Sequence, residues 1–151
     1  MAEDETESRR QQVGATFAEV ASRFGPAPLI LGHFDADGLA AAAIFQRSLD
    51  GATLRIVGKG ENPWSEEIRS ELRHAAPGGL IVTDLGVREG ALLASTPTAI
   101  VDHHVPTGTP GDAVVISGHG WKPEPTSALL AYWCARGLER PTTCCGSPPL
   151  G

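Results

Sequence analysis

Three short apolar runs in this chain each stop on residues that bind hard cations. Pro28-Leu29-Ile30-Leu31-Gly32 leads into His33-Phe34-Asp35-Ala36-Asp37-Gly38. Leu80-Ile81-Val82-Thr83 leads into Asp84, and Ala99-Ile100-Val101 leads into Asp102-His103-His104. Such short aliphatic runs read as strands covered on both faces, the kind found in parallel sheets. Parallel sheets collect their polar site at the C-terminal ends of the strands. The pattern therefore predicts one sheet edge at which carboxylates and imidazoles from distant parts of the chain meet.

The intervening segments fit that layout. Residues 1–8 are charged and expected to be a disordered N-terminus, after which Val13, Phe17, Val20, Ala21 and Phe24 recur at helical spacing up to the stop at Gly25-Pro26. Asp37 stands where an N-cap would, ahead of an Ala-rich helix to about Leu49. Thr53 to Val57 is the second strand and Gly58-Lys59-Gly60 a loop. Asn62-Pro63 starts a helix to about Ala75. A short helix near Arg88 to Ala94, a fifth strand over Ala113 to Ile116 and a helix from Pro125 to about Arg136 complete the domain, with Gly137 near the last helix's stop. Strand and helix alternate, so the expected fold is α/β: a mainly parallel, about five-stranded sheet with helices on both faces. The domain is expected over 9–139. Residues 140–151, with three prolines and no periodicity, form an expected unstructured tail.

Composition narrows the functional classes. A net charge of −6 in 151 residues argues against a broad basic surface for nucleic acid, although cations in a site would supply local positive charge. The longest apolar stretch, Leu39 to Phe45, is too short to span a bilayer, and the polar first ten residues contain no signal-peptide core, so a cytoplasmic location and no membrane partner are expected. Cys134, Cys144 and Cys145 are an odd set without a Cys-x-x-Cys, which points to free thiols.

Aspartate and histidine without cysteine suit Mn²⁺ or Mg²⁺. Three aspartates and one or two histidines exceed what one ion needs. Paired ions about 3.5–4 Å apart share a bridging carboxylate and activate water against phosphorus. Asp84, on the middle strand of the three, is the natural bridge. Each piece alone has a structural explanation: Asp35 and Asp37 as caps, Asp84 as a helix-start residue, His103 and His104 as an exposed polar pair. Their conjunction at three consecutive strand ends is what caps do not require.

His33-Phe34-Asp35-Ala36-Asp37-Gly38, Asp84 and Asp102-His103-His104 resemble, in order, the first three motifs of the DHH phosphoesterase superfamily, over about Leu29 to Leu138. That superfamily includes RecJ-type exonucleases, oligoribonucleases, cyclic-dinucleotide phosphodiesterases and manganese pyrophosphatases; the His-x-Asp-x-Asp-Gly form is closer to the RecJ-type branch. The resemblance implies that His33 and Asp35 bind one metal, Asp37 and His103 the other, and Asp84 both. It implies Asp102 as the residue orienting an imidazole and His104 as the group facing the substrate phosphate. The implied cofactors are two divalent cations, Mn²⁺ preferred. The implied activity is hydrolysis of phosphodiester bonds in single-stranded DNA, RNA or short oligonucleotides. A small-molecule nucleotide or pyrophosphate phosphatase is the alternative, and an inactive cation-binding remnant a third.

Two departures from the family pattern stand out. The fourth motif normally brings an Asp ahead of a Thr/Ser-bearing helix. Here Ser117 to Ser127 keeps Thr126 and Ser127, expected to touch substrate, but has no Asp; either His119 or Glu124 substitutes, or Glu124 is simply an acid at a helix start. The family's C-terminal substrate-binding domain is also absent from these 151 residues, so the expected partners are a separate chain carrying that domain or, independently of it, further copies of this chain in a homo-oligomer. Arg88 is a further candidate for a substrate phosphate. Trp121 is a candidate for stacking on a base, with Trp64 and Trp133 expected to be packed.

Overall fold

The computed structural model describes residues 2–139. Its elements are α1 (Ala2–Ala21), β1 (Leu29–His33), α2 (Ala36–Ser48), β2 (Thr53–Val57), α3 (Glu66–Ala75), β3 (Leu80–Thr83), β4 (Thr98–Asp102), β5 (Val114–Ser117) and α4 (Ser127–Glu139). All four strand pairings are parallel, and the order across the sheet is β2-β1-β3-β4-β5.

Alternation along the strands divides the core. Ile30, Ile81, Ala99, Val101 and Ile116 point to the face covered by α1, α2 and α4, where Phe17, Phe45, Leu130 and Cys134 are fully buried. Leu29, Leu31, Leu80, Val82 and Ile100 point to the other face, where α3 contributes Ile68 and Leu72 and the segment after β3 contributes Leu85, Val87 and Leu92. The chain leaves β1 toward one edge and later returns to build the other, so the direction reverses between β1 and β3. That switch point leaves a crevice at the C-terminal strand ends.

Several local expectations are corrected. α1 begins at Ala2 rather than Arg9: Arg9 bonds Glu5 at 2.9 Å and Gln11 bonds Glu7 at 3.1 Å, and these i,i+4 pairs carry the helix through the charged segment. Asp35, not Asp37, caps α2, accepting from the Gly38 N–H at 2.8 Å. Ser65 caps α3 while Asn62 closes a turn onto the Trp64 N–H, so that helix starts at Glu66. Residues 88–94 form no helix. The backbone at Val87 and Gly90 pairs instead with the segment after β4, through Thr107 N–H to Val87 O and Gly90 N–H to Thr109 O. Gly137 lies inside α4, where a Cβ would collide with the Gly14 carbonyl of α1; it is a crossing point of two helices, not a stop. The expected tail, 140–151, lies outside the described residues, as do Cys144 and Cys145. Described Cys134 is a buried free thiol. No described helix is long and apolar enough to cross a membrane.

Candidate metal centre

β1 ends on His33, and the chain turns so tightly into α2 that a Cβ on Gly38 would lie 2.5 Å from the His33 carbonyl. Only glycine fits there, and the turn presses Asp35 back onto the imidazole. Asp35 Oδ2 lies 3.0 Å from His33 Nδ1, while its Oδ1 takes the Gly38 N–H. That backbone hydrogen bond, above all, holds the Asp35 carboxyl below its usual range.

Asp84 follows β3 at the switch point. Its φ of 63° is left-handed, a conformation aspartate tolerates better than most residues. Its N–H donates to the Val101 carbonyl at 3.2 Å, which fixes it between β1 and β4. The side chain is buried, and Oδ1 accepts from the Ser127 hydroxyl at 2.9 Å. Burial raises its pKa to about 6, with the nearby Asp35 and Asp37 adding to the rise and Ser127 opposing it. Oδ2 is 3.5 Å from His33 Nδ1, and Oδ1 is 3.6 Å from His103 Nε2 and 3.9 Å from His104 Nδ1.

Asp102 ends β4 and is fully buried. Its Oδ2 accepts from the Gly86 N–H at 2.7 Å, and its Oδ1 receives both the His104 N–H at 2.6 Å and the His104 ring at Nδ1, 2.7 Å away. Burial alone would lower the His104 pKa, but the charge and hydrogen bond of Asp102 outweigh it and the pKa is raised. The His103 and His104 ring centroids are 4.6 Å apart.

Donor atoms of His33, Asp35 and Asp84 all lie within 4.8 Å of one another, as do those of Asp84, His103 and His104. Asp84 belongs to both groups. Asp37 sits 3.5 Å from His103 Nε2, and its two oxygens also accept the Ser127 and Ala128 N–H groups at 3.1 and 2.8 Å. Each carboxylate oxygen keeps a second lone pair, so this bonding does not exhaust it. The fit to a cation is visible in two features. His33 Nδ1 is buried beside two carboxylates yet makes no hydrogen bond, and no lysine or arginine of the described residues pairs with Asp35, Asp37 or Asp84. Three acids whose only positive partners would be titratable imidazoles are costly in a partly buried place unless a further positive charge joins them.

The remaining candidates divide. Arg88 lines a cleft of about 440 Å³ together with His33, Asp84 and His104; its guanidinium donates to Asn62 and lies over the Trp64 ring. Ser127 is brought to the centre, where it is fully buried and its hydroxyl donates to Asp84. Thr126 is exposed, and its hydroxyl accepts the Leu129 N–H as a cap for α4. The His119 ring lies 3.9 Å from Glu124, and the residue's backbone N–H donates to Ser117 Oγ at 3.1 Å. Trp121 stacks on Trp133, with Arg9 over its ring, and so belongs to the packing of α1 on α4. The tie from Ser127 to Asp84 was not readable beforehand: forty-three positions separate them, and a serine at a helix start has an ordinary capping explanation.

No family model matches the sequence, and no curated protein matches it. Solved structures do. One is exonuclease RecJ bound to manganese, 21% identical, covering 83% of this chain and 37% of that one, with a TM-score of 0.62. Another is RecJ in complex with Mn²⁺ from Thermus thermophilus, 25% identical, covering 86% of this chain and 20% of that one, with a TM-score of 0.63. The chain thus spans well under half the length of the structures it resembles, and within that span it has a RecJ-like fold.

Proposed function

We propose that this chain is the cation-binding domain of a DHH-type phosphoesterase. It would hydrolyse phosphodiester bonds in single-stranded nucleic acid or short oligonucleotides with two divalent cations, Mn²⁺ in preference to Mg²⁺. The observation that carries this reading is the convergence of His33 and Asp35 on one side of Asp84, and of Asp37 and His103 on the other, at the switch point of a RecJ-like sheet. His33 and Asp35 would hold one cation, Asp37 and His103 the other, and Asp84 both. When bound, such a pair supplies charge for phosphoryl oxygens and makes water more acidic.

The chain's own groups do the rest. Asp102 takes the Nδ1 side of His104, which leaves Nε2 to serve a substrate oxygen in the cleft. A proton held at that Nε2 is available to a departing alkoxide, as general acid catalysis requires. Arg88, fixed by Asn62 and Trp64 on the wall of the same cleft, would take a phosphate.

The test is hydrolysis of bis-p-nitrophenyl phosphate and of end-labelled single-stranded oligonucleotides with Mn²⁺. Cleavage that EDTA abolishes and Asp84→Asn lacks is expected. Turnover of pyrophosphate or mononucleotides alone would move the reading to a small-molecule phosphatase. Mn²⁺ binding with no turnover of any substrate would leave a cation-binding domain.

A further inference from the structure

Glu124 stands in the loop between β5 and α4, on the far side of His103 from the carboxylates. Its Oε1 is 3.5 Å from His103 Nδ1. The other ring nitrogen, Nε2, faces Asp37 Oδ2 at 3.5 Å and Asp84 Oδ1 at 3.6 Å. The lone pairs of the two nitrogens diverge in the ring plane, so an ion bound to Nε2 is screened from Glu124 by the imidazole itself. A carboxylate so placed cannot stand in for a missing ligand, but it can set which nitrogen of the ring carries the proton.

We propose that Glu124 is a positioning residue for His103. It accepts the Nδ1–H, locks that tautomer, and leaves the Nε2 lone pair aimed at Asp37 and Asp84. The inference rests on the cation centre proposed above. A separation of 3.5 Å is a little longer than a formed N–H···O bond, and the half-exposed glutamate has the freedom to close it. The loop supplies the restraint. Glu124 Oε2 receives the Gly120 N–H at 3.4 Å and lies 3.9 Å from His119 Nδ1. Gly118 N–H donates to the Asp102 carbonyl, Trp121 N–H to the Gly118 carbonyl, and the Trp121 ring is stacked on Trp133 of α4. The loop that carries Glu124 is therefore tied to Asp102 at the end of β4, the residue before His103.

Two readouts test this on the whole chain. The first is ¹⁵N NMR of the metal-free protein at a pH where the ring is neutral. His103 is expected to be protonated on Nδ1 in the wild type and in Glu124→Gln, whose amide oxygen accepts the same proton, and to lose that preference in Glu124→Ala. The second is Mn²⁺ affinity by calorimetry. Glu124→Ala is expected to weaken it about 10–100-fold, the usual effect of losing a carboxylate behind a ligating imidazole, with Glu124→Gln retaining most of the affinity. Equal losses in the two variants would make Glu124 a ligand and overturn the proposal, as would no loss in Glu124→Ala. A wild-type ring protonated on Nε2 overturns it whatever the affinities. If the wild type binds no Mn²⁺, the proposed centre fails, and the tautomer alone then decides what Glu124 does.

Discussion

Asp84 is constrained in three ways at once. It is buried, held in a left-handed backbone conformation, and crowded by two further carboxylates. Without a cation these features oppose stability, so Asp84→Asn, which tolerates the same backbone and keeps the acceptor for Ser127, is expected to unfold no earlier than the metal-free wild type. It is also expected to lose all stabilisation by Mn²⁺. For the wild type at 100 times the dissociation constant that stabilisation is about 2.7 kcal/mol per site. Thermal melts with and without Mn²⁺ check both halves; a mutant that Mn²⁺ still stabilises fully would contradict them. Ser127 gives a second expectation. Ser127→Ala leaves a buried carboxylate oxygen without its donor and is expected to lower stability by about 1–3 kcal/mol in urea unfolding.

The helices and strands show where sequence patterns suffice and where they stop. Leu29 to His33, Leu80 to Thr83 and Thr98 to Asp102 are legible because apolar runs bounded by turn residues have few other uses in a chain of this size. His33, Asp35, Asp84 and His103 are legible as candidates because they end those runs. Arg88 to Ala94 misleads because its composition suits a helix, whereas hydrogen bonds linking Val87, Glu89 and Gly90 with residues 107 and 109 hold it in another conformation, and local spacing cannot see them. Gly137 misleads for a related reason. Glycine near a helix end ordinarily stops it, but here it admits α1. Gly137→Ala is therefore expected to cost about 1–3 kcal/mol through overpacking at Gly14, despite alanine's better helix propensity, as denaturant midpoints will show.

Between β2 and α3, Arg55 bonds both Glu61 and Glu71, and the Arg55 hydrogen bonds bring the Glu61 pKa down to about 2 from an ordinary 4.5. A depressed acid stabilises fully above its unfolded value and loses that effect as pH falls through its folded one. The stability difference between the wild type and Glu61→Gln is accordingly expected to be present above pH 4.5 and to vanish toward pH 2.

Seen whole, the molecule is a five-stranded parallel sheet whose reversal of direction places β1 beside β3 and opens a crevice there. α4 closes the arrangement from one side: its first turn is bonded by Asp37 and Asp84, so the helix that packs on α1 and α2 is also the helix that steadies the acids. Sheet, helix and acids form one unit, and a cation bound at Asp84 would reach the packing of α4. Calorimetric titration of Mn²⁺ into the wild type and Asp84→Asn tests whether that unit exists to hold metal. Two ions per wild-type chain and none at the same concentrations in the variant are expected; no binding by the wild type, or equal binding by both, would contradict the shared centre.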